Sequence, residues 1–431
     1  MSNISPLRFS QETLKNGLDI VLHVDRRVPL AHVTLHYRVG SSHEEPGKSG
    51  LAHLFEHMMF QGSENVGKAQ HGRHVDAVGG RWNASTSKDC TGYFETVPSN
   101  ALELALWLEA DRMRSLRVTE ENFENQRKTV IEEKKQSYDN RPYGAALLRF
   151  DALAYENWAY AHPTIGSVDD LRKATVEDAV TFHRKYYGPD NATLVVAGDI
   201  SLKETLGLVR RHFEDIRPAT DARLPDLSEP RQQKEKLEVI RDTLAPLPAI
   251  HVGYHIPPAG SPAHYALSML ALVLSKGESS RLYRRMVYDN NWAASLSAGP
   301  TLYRGPQMFV FWCQAQEGVR ACSIRKALEE EVLRTTEKKV SDLELEKARN
   351  QVLYRFVSSR ATIHGKGEAL AQYMTFFSDP SLINNEVDRY LGVTAEEIKK
   401  TARQFLVPAN RTTVIVETGP PRQDQERAAS P

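Results

Sequence analysis

The two halves of the chain resemble each other, and this internal repeat restricts the possible folds more than any other feature. Val33-Thr-Leu-His-Tyr37 resembles Ile250-His-Val-Gly-Tyr254, and Pro189-Asp-Asn191 resembles Pro408-Ala-Asn410 at nearly the same spacing along the chain. Near-equal spacings at two distant points indicate an internal duplication. The 431 residues are therefore predicted to form two related domains, each long enough to bury a hydrophobic core.

The boundaries of these domains follow from a change in composition. Residues 217–235 are rich in proline and charge and have no hydrophobic periodicity, which is typical of a linker. We therefore predict one domain over residues 1–216 and a second over residues 236–418. The last residues, 419–431, are predicted to be a disordered tail.

Charge and cysteine content exclude several classes of function. Lys plus Arg and Asp plus Glu both number 55, so the chain has no overall attraction for nucleic acid or for an anionic membrane, and neither partner is expected. Its three cysteines have no CxxC spacing, which disfavours a thiolate zinc site. The most apolar segment, Ala266–Leu274, is too short to span a bilayer. Since the start lacks a secretory pattern, we expect a cytoplasmic protein, or a periplasmic one if a signal peptide was removed.

One short motif carries the strongest chemical signal. On a helix with about 100° between residues, His53, Glu56 and His57 share one face, while the apolar residues around them occupy the other. Ser49 is the predicted N-cap. Two histidines at positions i and i+4 bind one zinc ion through their ring nitrogens. A glutamate beside them is placed to act as general base on a metal-activated water, so Glu56 is the predicted base.

A zinc site of this kind needs a third protein ligand. A second helix is predicted from about Thr119 to Tyr138, and it offers two adjacent acids, Glu132 and Glu133. On a helical projection Glu132 faces away from the apolar stripe, whereas Glu133 borders it. We therefore predict Glu133 as the third ligand and Glu132 as a surface acid.

These residues resemble those of a known enzyme family. HxxEH is the inverted form of the HExxH zinc signature. The segment HLFEHMMFQG, followed further along the chain by the acid in VIEE, resembles the pitrilysin/insulinase zinc metallopeptidases. By size the bacterial members of the mitochondrial processing peptidase group are the most similar. The resemblance implies an α+β fold of two duplicated domains, each a mostly antiparallel sheet flanked by helices. It also implies one zinc ion per chain, with ligands His53, His57 and Glu133 and base Glu56.

The resemblance further implies a substrate strand. Asn83, Ala84 and Ser85 match the family's edge strand beside the metal, where an extended peptide adds as a further strand. An ordinary edge strand would have the same sequence pattern. Many relatives carry a second glutamate two helical turns before the ligand glutamate. Here that position is Gln126, which is predicted to hold a ligand by hydrogen bonding.

The second half lacks the motif. When Gly62 is aligned with Gly277, His53, Glu56 and His57 fall on Ser268, Ala271 and Leu272. The metal site is therefore predicted in the first half alone. Related bacterial chains often carry an Arg and a Tyr after the Ser-Ser-Arg-Leu segment, to hold the substrate backbone. The aligned positions here are Val287 and Ala294, although Arg285 or Tyr288 could substitute.

The predicted function is zinc-dependent cleavage of extended or unfolded peptides inside a chamber. The chain is expected to be the catalytic subunit of a dimer. The missing Arg and Tyr favour a heterodimer with a second homologous subunit over a homodimer. The alternative is a non-catalytic scaffold or binding subunit of a processing-peptidase-like complex.

Overall fold

The computed structural model describes residues 5–220 and 222–419. They form two compact units, and each unit takes segments from both halves of the sequence. The first unit contains residues up to 131 together with 163–226 and 355–386, and the second contains 132–162, 227–354 and the residues from 387 onward. The units therefore differ from the continuous domains predicted at 1–216 and 236–418, which remain a prediction about the duplicated sequence.

The first unit is built on a mixed sheet of six strands. In chain order they are β1 (Ser10–Thr13), β2 (Asp19–Val24), β3 (Leu30–Tyr37), β4 (Arg81–Thr86), β5 (Thr91–Pro98) and β6 (Ala192–Gly198). Their order across the sheet is β1-β2-β6-β3-β5-β4. Only the β2–β6 pair is parallel. Strand β6 is buried along its whole length, as its run of apolar residues predicts for a central strand. Strand β4 forms an edge.

The second unit has a five-stranded sheet with the same topology. Its strands are β7 (Lys236–Asp242), β8 (Ala249–Ile256), β9 (Ala293–Pro300), β10 (Gln307–Ala315) and β11 (Arg411–Thr418). Their order is β7-β11-β8-β10-β9, which repeats the first sheet without its edge strand β1. The pair β7–β11, which corresponds to β2–β6, is parallel, and the other pairs of this sheet are antiparallel. The α+β fold with two duplicated, mostly antiparallel sheets is thus confirmed.

Helices cover both sheets. In chain order they are α1 (Leu51–Met58), α2 (Gln70–Ala77), α3 (Leu102–Ser115), α4 (Glu120–Lys134), α5 (Gly144–Ala154), α6 (Trp158–Ala161), α7 (Val168–Lys173), α8 (Val176–Tyr186), α9 (Leu202–Phe213), α10 (Pro262–Ser275), α11 (Ala321–Glu337), α12 (Asp342–Ser359), α13 (Ile363–Phe377), α14 (Leu382–Leu391) and α15 (Ala395–Phe405). Short π-helical segments occupy Lys135–Asp139 and Tyr283–Asp289.

Two of these helices pack on the sheet formed by the other half of the sequence. Helix α13 comes from the second half, yet it belongs to the first unit and packs on β3 and β6. Its Leu370 and Ala371 share a buried cluster with Val21 and Val195. Helix α5 comes from the first half and packs on β7 and β11 of the second unit. Sequence periodicity does not reveal this exchange, because it shows that a helix has an apolar face and not which sheet covers that face.

The predicted linker is irregular but well anchored. Its described residues, which are all of 217–235 except Asp221, contain neither helix nor strand. Glu235 forms ion pairs with Arg411 at 2.9 Å and with Arg325 at 2.7 Å. The predicted tail, 419–431, lies outside the described residues except for Gly419. Within the described part of the chain, every helix is too short or too polar to cross a membrane.

Candidate metal centre

Helix α1 carries the HxxEH motif and separates its two faces as the pattern predicts. Leu51, Leu54, Phe55 and Met58 are buried, whereas His53, Glu56 and His57 are half-buried on the other face. The ring centroids of His53 and His57 lie 4.9 Å apart. The apolar side therefore fixes the helix, and the polar side presents two imidazoles together.

The start of α1 differs from the prediction. The N-cap is Gly50, with a φ of 92°, and not Ser49. The carboxylate of the buried Glu44 accepts hydrogen bonds from the backbone N–H groups of Gly50 at 2.8 Å and Ala52 at 2.7 Å. Ser49 instead donates to Asp170. A cap from a neighbouring loop satisfies the first N–H groups of the helix, and its negative charge suits the positive end of the helix dipole.

Glu133 joins the two histidines near the end of helix α4. One ligand atom each of His53, His57 and Glu133 lies within 4.8 Å of the other two. In a tetrahedral zinc site such atoms are about 3.3 Å apart, so each pair has to close by at most about 1.5 Å. The adjacent acid, Glu132, is exposed and accepts hydrogen bonds from Lys135 and Gln136. The structure therefore brings together the three residues predicted as ligands and places Glu132 outside the group.

The donor set and its protonation fit zinc. Two imidazoles and one carboxylate are a common three-ligand set in catalytic zinc sites, which leave a fourth position for water. Burial, helped by the nearby His57, lowers the pKa of His53 to about 4. His53 is therefore neutral near pH 7, which is the form of the imidazole that coordinates a metal.

Glu56 lies on the same face of α1 but outside this ligand group. The Oγ1 of Thr86 donates a 2.6 Å hydrogen bond to Oε2 of Glu56. Thr86 is the last residue of strand β4, so the edge strand of the first sheet orients this carboxylate. The sequence prediction did not include Thr86. Its position directly after Asn83–Ser85 was the available signal.

The predicted substrate residues lie along β4. Asn83 and Ser85 are exposed and Ala84 is half-buried. The strand pairs on one side with β5, and its other side is the edge of the sheet. The N–H of Ala84 donates to Oδ1 of Asn83 at 2.9 Å, so this N–H is directed away from β5. Gln126 is half-buried on α4, two turns before Glu133.

A second histidine pair in the sequence, His71-Gly-Arg-His74, has a different environment. His71 is buried, and its Nε2 lies 2.8 Å from Oε1 of the buried Glu95. The guanidinium of Arg112 completes this group: its Nε donates to Oε2 of Glu109 at 3.0 Å. Burial and the charge of Arg112 lower the pKa of His71 to about 3. Arg112 thus supplies the positive charge that two buried carboxylates require.

In the second unit, the helix that corresponds to α1 is part of the core. Ala271 and Leu272 on α10 belong to its main apolar cluster. Arg285 pairs with Glu330 and donates to the carbonyl of Ala327, whereas Tyr288 is 81% exposed. Of the two residues that could replace the missing substrate clamp, Tyr288 is therefore the more accessible.

Sequence comparisons agree with this architecture. Residues 20–167 match the family described as Insulinase (Peptidase family M16), and residues 173–352 match the Peptidase M16 inactive domain. The zinc protease PqqE of Helicobacter pylori is 29% identical over 412 residues, covering 94% of this chain and 92% of that protein.

Solved structures share the fold. The crystal structure of a protease from Helicobacter pylori matches with a TM-score of 0.92 at 27% identity, covering 96% of this chain and all of that one. The periplasmic protease PqqL from Escherichia coli matches with a TM-score of 0.79 at 18% identity, and the match covers 96% of this chain but 48% of that one. With two consecutive domain matches to one family over a two-domain fold that repeats its topology, this chain belongs to the insulinase family of peptidases, family M16.

Proposed function

We propose that this protein is a zinc-dependent endopeptidase of the bacterial, processing-peptidase-like group within its family. The observation that carries the proposal is the grouping of His53, His57 and Glu133 within 4.8 Å, with the carboxylate of Glu56 oriented beside it by Thr86. A structural role would need neither two neighbouring imidazoles nor a carboxylate held next to them.

The chemistry divides between the ion and the chain. A bound zinc would lower the pKa of a water ligand and polarise the carbonyl of the substrate. Glu56 then acts as general base: it takes a proton from the attacking water and returns it to the amine that leaves. The hydrogen bond from Thr86 fixes this carboxylate in one orientation, which limits the reorganisation needed at each step.

The proposed substrates are extended or unfolded peptides of moderate length. Strand β4 supports this proposal, because it ends at Thr86 and has one open edge. A peptide that pairs with this edge along Asn83–Ser85 would be held mainly by its backbone, so recognition would depend weakly on its side chains. An added strand places a peptide bond beside the residues at the end of β4.

We also propose a second homologous subunit. Val287 and Ala294 stand where relatives carry an Arg and a Tyr for the substrate backbone, so the second half of this chain lacks that clamp. The PqqL protease of Escherichia coli, whose chain is about twice as long, offers a fold-level parallel for pairing two such chains. A heterodimer is favoured, since a different subunit can supply both an Arg and a Tyr, whereas a second copy of this chain would have to rely on Arg285 or Tyr288 instead.

A scaffold or binding role is the competing proposal, and the match to a family domain described as inactive favours it. That match covers residues 173–352, however, and none of His53, Glu56, His57 or Glu133 lies in this range. These four residues all lie within the match to the insulinase domain, residues 20–167. The inactive-domain description therefore concerns the half in which we propose no catalytic metal.

The decisive experiment compares the zinc-loaded chain with its Glu56→Gln variant on a quenched fluorescent peptide. Hydrolysis by the native chain that disappears in the variant, while His53 and His57 still hold zinc, would establish the peptidase. Hydrolysis that appears only after a homologous partner is added would establish the subunit proposal as well. If zinc fails to bind, or Glu56→Gln cleaves at the native rate, the proposed function is wrong.

A further inference from the structure

A second cluster of metal-binding side chains lies where helix α13 packs on strand β3. His32 and His36 alternate with the apolar residues of β3 and point to the same face of the sheet. His32 is fully buried, and the side chain of His36 is 12% exposed. Both approach one carboxylate on α13, that of Glu368. The Nε2 of His32 lies 3.2 Å from its Oε1, and the Nε2 of His36 lies 3.4 Å from its Oε2.

Helix α13 adds a third imidazole to this cluster. His364 and Glu368 are one helical turn apart, so their side chains lie on the same face of the helix. The ring of His364 meets the ring of His32 edge to face, with centroids 4.8 Å apart. His364 is exposed and Glu368 half-buried, so the cluster is buried at His32 and open to solvent at His364.

Glycine makes this close approach possible. A Cβ atom at Gly367, on α13, would lie 2.3 Å from Cδ2 of His32, and one at Gly92, on β5, would lie 2.7 Å from Cδ2 of His36. Any larger residue at either position would push the histidine away. The imidazole rings of His32 and His36 therefore occupy the space that a side chain at Gly367 or Gly92 would fill.

We propose that His32, His364 and Glu368 form a second site for a divalent transition metal of the zinc class. One ligand atom of each residue lies within 4.8 Å of the other two, the same limit as in the HxxEH cluster. Two imidazoles and a carboxylate are again the donors that zinc prefers. His36 lies on the other oxygen of Glu368 and is the nearest candidate for a further ligand.

The surroundings of His32 resemble those of a metal-bound histidine. Its Nδ1 lies 2.8 Å from Oγ1 of Thr96, its cross-strand neighbour on β5. Histidine ligands in metal sites usually engage the second ring nitrogen in such a hydrogen bond, which fixes the ring and directs the other nitrogen to the metal. Here Nε2 is the atom that lies 3.2 Å from Oε1 of Glu368.

A metal ion at this position would join residues that are far apart in the sequence. His32 lies near the start of the chain, and His364 and Glu368 lie in its last fifth. The ion would fasten α13 to the first sheet and would stabilise the folded state by an amount that rises with the ratio of free ion concentration to Kd. This role is independent of the proposed peptidase function.

The test uses the full-length chain with His53→Ala and His57→Ala, which removes the proposed catalytic ligands. After equilibration with zinc chloride and removal of unbound ion, we expect about one zinc per chain by mass spectrometry of the metal, and a higher melting temperature with zinc than with chelator. Adding His364→Ala abolishes both effects. Adding His74→Ala instead, at an exposed histidine of α2, changes neither.

A milder variant keeps the test valid should the ligand variants disturb packing. Thr96→Val preserves the shape of the side chain and removes the hydrogen bond to His32, so zinc affinity should fall about 10- to 100-fold. The proposal is overturned if the His53→Ala, His57→Ala chain binds no zinc. It is equally overturned if that chain binds zinc and both His364→Ala and Thr96→Val leave the affinity unchanged. Neither result bears on the peptidase, which Glu56→Gln tests separately.

Discussion

Thr86 donates a 2.6 Å hydrogen bond to the carboxylate of Glu56 and so connects the end of an edge strand to the proposed general base. The two residues are 30 positions apart in the sequence. This contact makes the orientation of the base depend on the strand to which we propose the substrate adds. A peptide that binds along β4 would therefore also affect the orientation of Glu56, through the hydrogen bond from Thr86.

Replacing Thr86 by valine removes this hydrogen bond at nearly constant shape. We expect kcat to fall about tenfold with little change in KM. A general base accelerates the reaction by roughly 10²- to 10⁴-fold, and a poorly oriented Glu56 would lose a part of this acceleration. Steady-state kinetics on a fluorescent peptide measures both constants. Thr34→Val is a matched control, because the Thr34 hydroxyl also bonds within the first sheet, to the carbonyl of Tyr93. Equal losses in both variants would refute a specific role for Thr86.

Adjacent acids on α4 offer a matched pair for the third ligand. We expect Glu133→Gln to weaken zinc binding by more than about 100-fold, since loss of an outer hydrogen bond to a ligand already costs about 10- to 100-fold. Glu132→Gln should bind zinc normally, because Glu132 is exposed and contacts Lys135 and Gln136. Calorimetric titration of zinc into chains that also carry His364→Ala isolates this site. A larger effect of Glu132→Gln would reverse the ligand assignment.

The outward N–H of Ala84 allows a test of strand addition. Proline is tolerated on an edge strand where the lost N–H faces away from the sheet. We expect Ala84→Pro to fold and to raise KM about three- to tenfold at similar kcat, which corresponds to one lost backbone hydrogen bond. Ala84→Ser is the control: it keeps the backbone N–H, so its KM should stay close to the native value. An Ala84→Pro enzyme with native KM would exclude peptide pairing at this position.

Buried neutral histidines predict a loss of stability in acid. Burial lowers the pKa of His264 to about 4 from 6.5, although the hydrogen bond from Gln307 acts in the opposite direction. Between these pH values the unfolded chain binds a proton that the folded chain excludes, so the free energy of unfolding decreases as the pH falls from 6.5 to about 4. The stability that neutral His264 contributes is fully present above pH 6.5. Up to about 3 kcal/mol of it is lost once the pH falls below about 4.

His264→Asn tests this contribution, because the amide oxygen of asparagine can still accept the hydrogen bond from Gln307. Urea unfolding of the metal-free protein at several pH values should show a shallower acid loss in the variant. Identical pH profiles for the native chain and His264→Asn would show that His264 titrates normally in the folded state.

Local sequence patterns predicted the parts of this structure that depend on neighbouring residues. The β-rich segments Lys236–Arg241 and Ala249–Ile256 predict two strands. The second coincides with β8, and the first is one residue shorter than β7. The apolar pattern around His53 and His57 correctly identified the buried face of α1, and the projection of α4 separated Glu133 from Glu132. Each of these inferences needs only the geometry of a single element.

Features that depend on distant residues were not predicted. Glu44 rather than Ser49 caps α1, because the loop before the helix folds back on its first turn. The buried group of His71, Glu95, Glu109 and Arg112 combines charges from three elements, and no periodicity indicates which charges will meet. The position of α13 on the first sheet also depends on residues that are distant in the sequence, so local patterns did not predict it.

That position of α13 has a consequence for how the chain is made and how it arose. The ribosome must deliver residues 363–377 before Val21 and Val195 are covered, so this part of the first sheet stays exposed until synthesis is nearly finished. Helices α5 and α13 begin at Gly144 and Ile363, and this spacing equals that of the repeated Pro189 and Pro408. The two units thus exchange equivalent helices, which is the arrangement of a helix-swapped pair of identical chains. Fusion of two such copies end to end would give one polypeptide with this exchange.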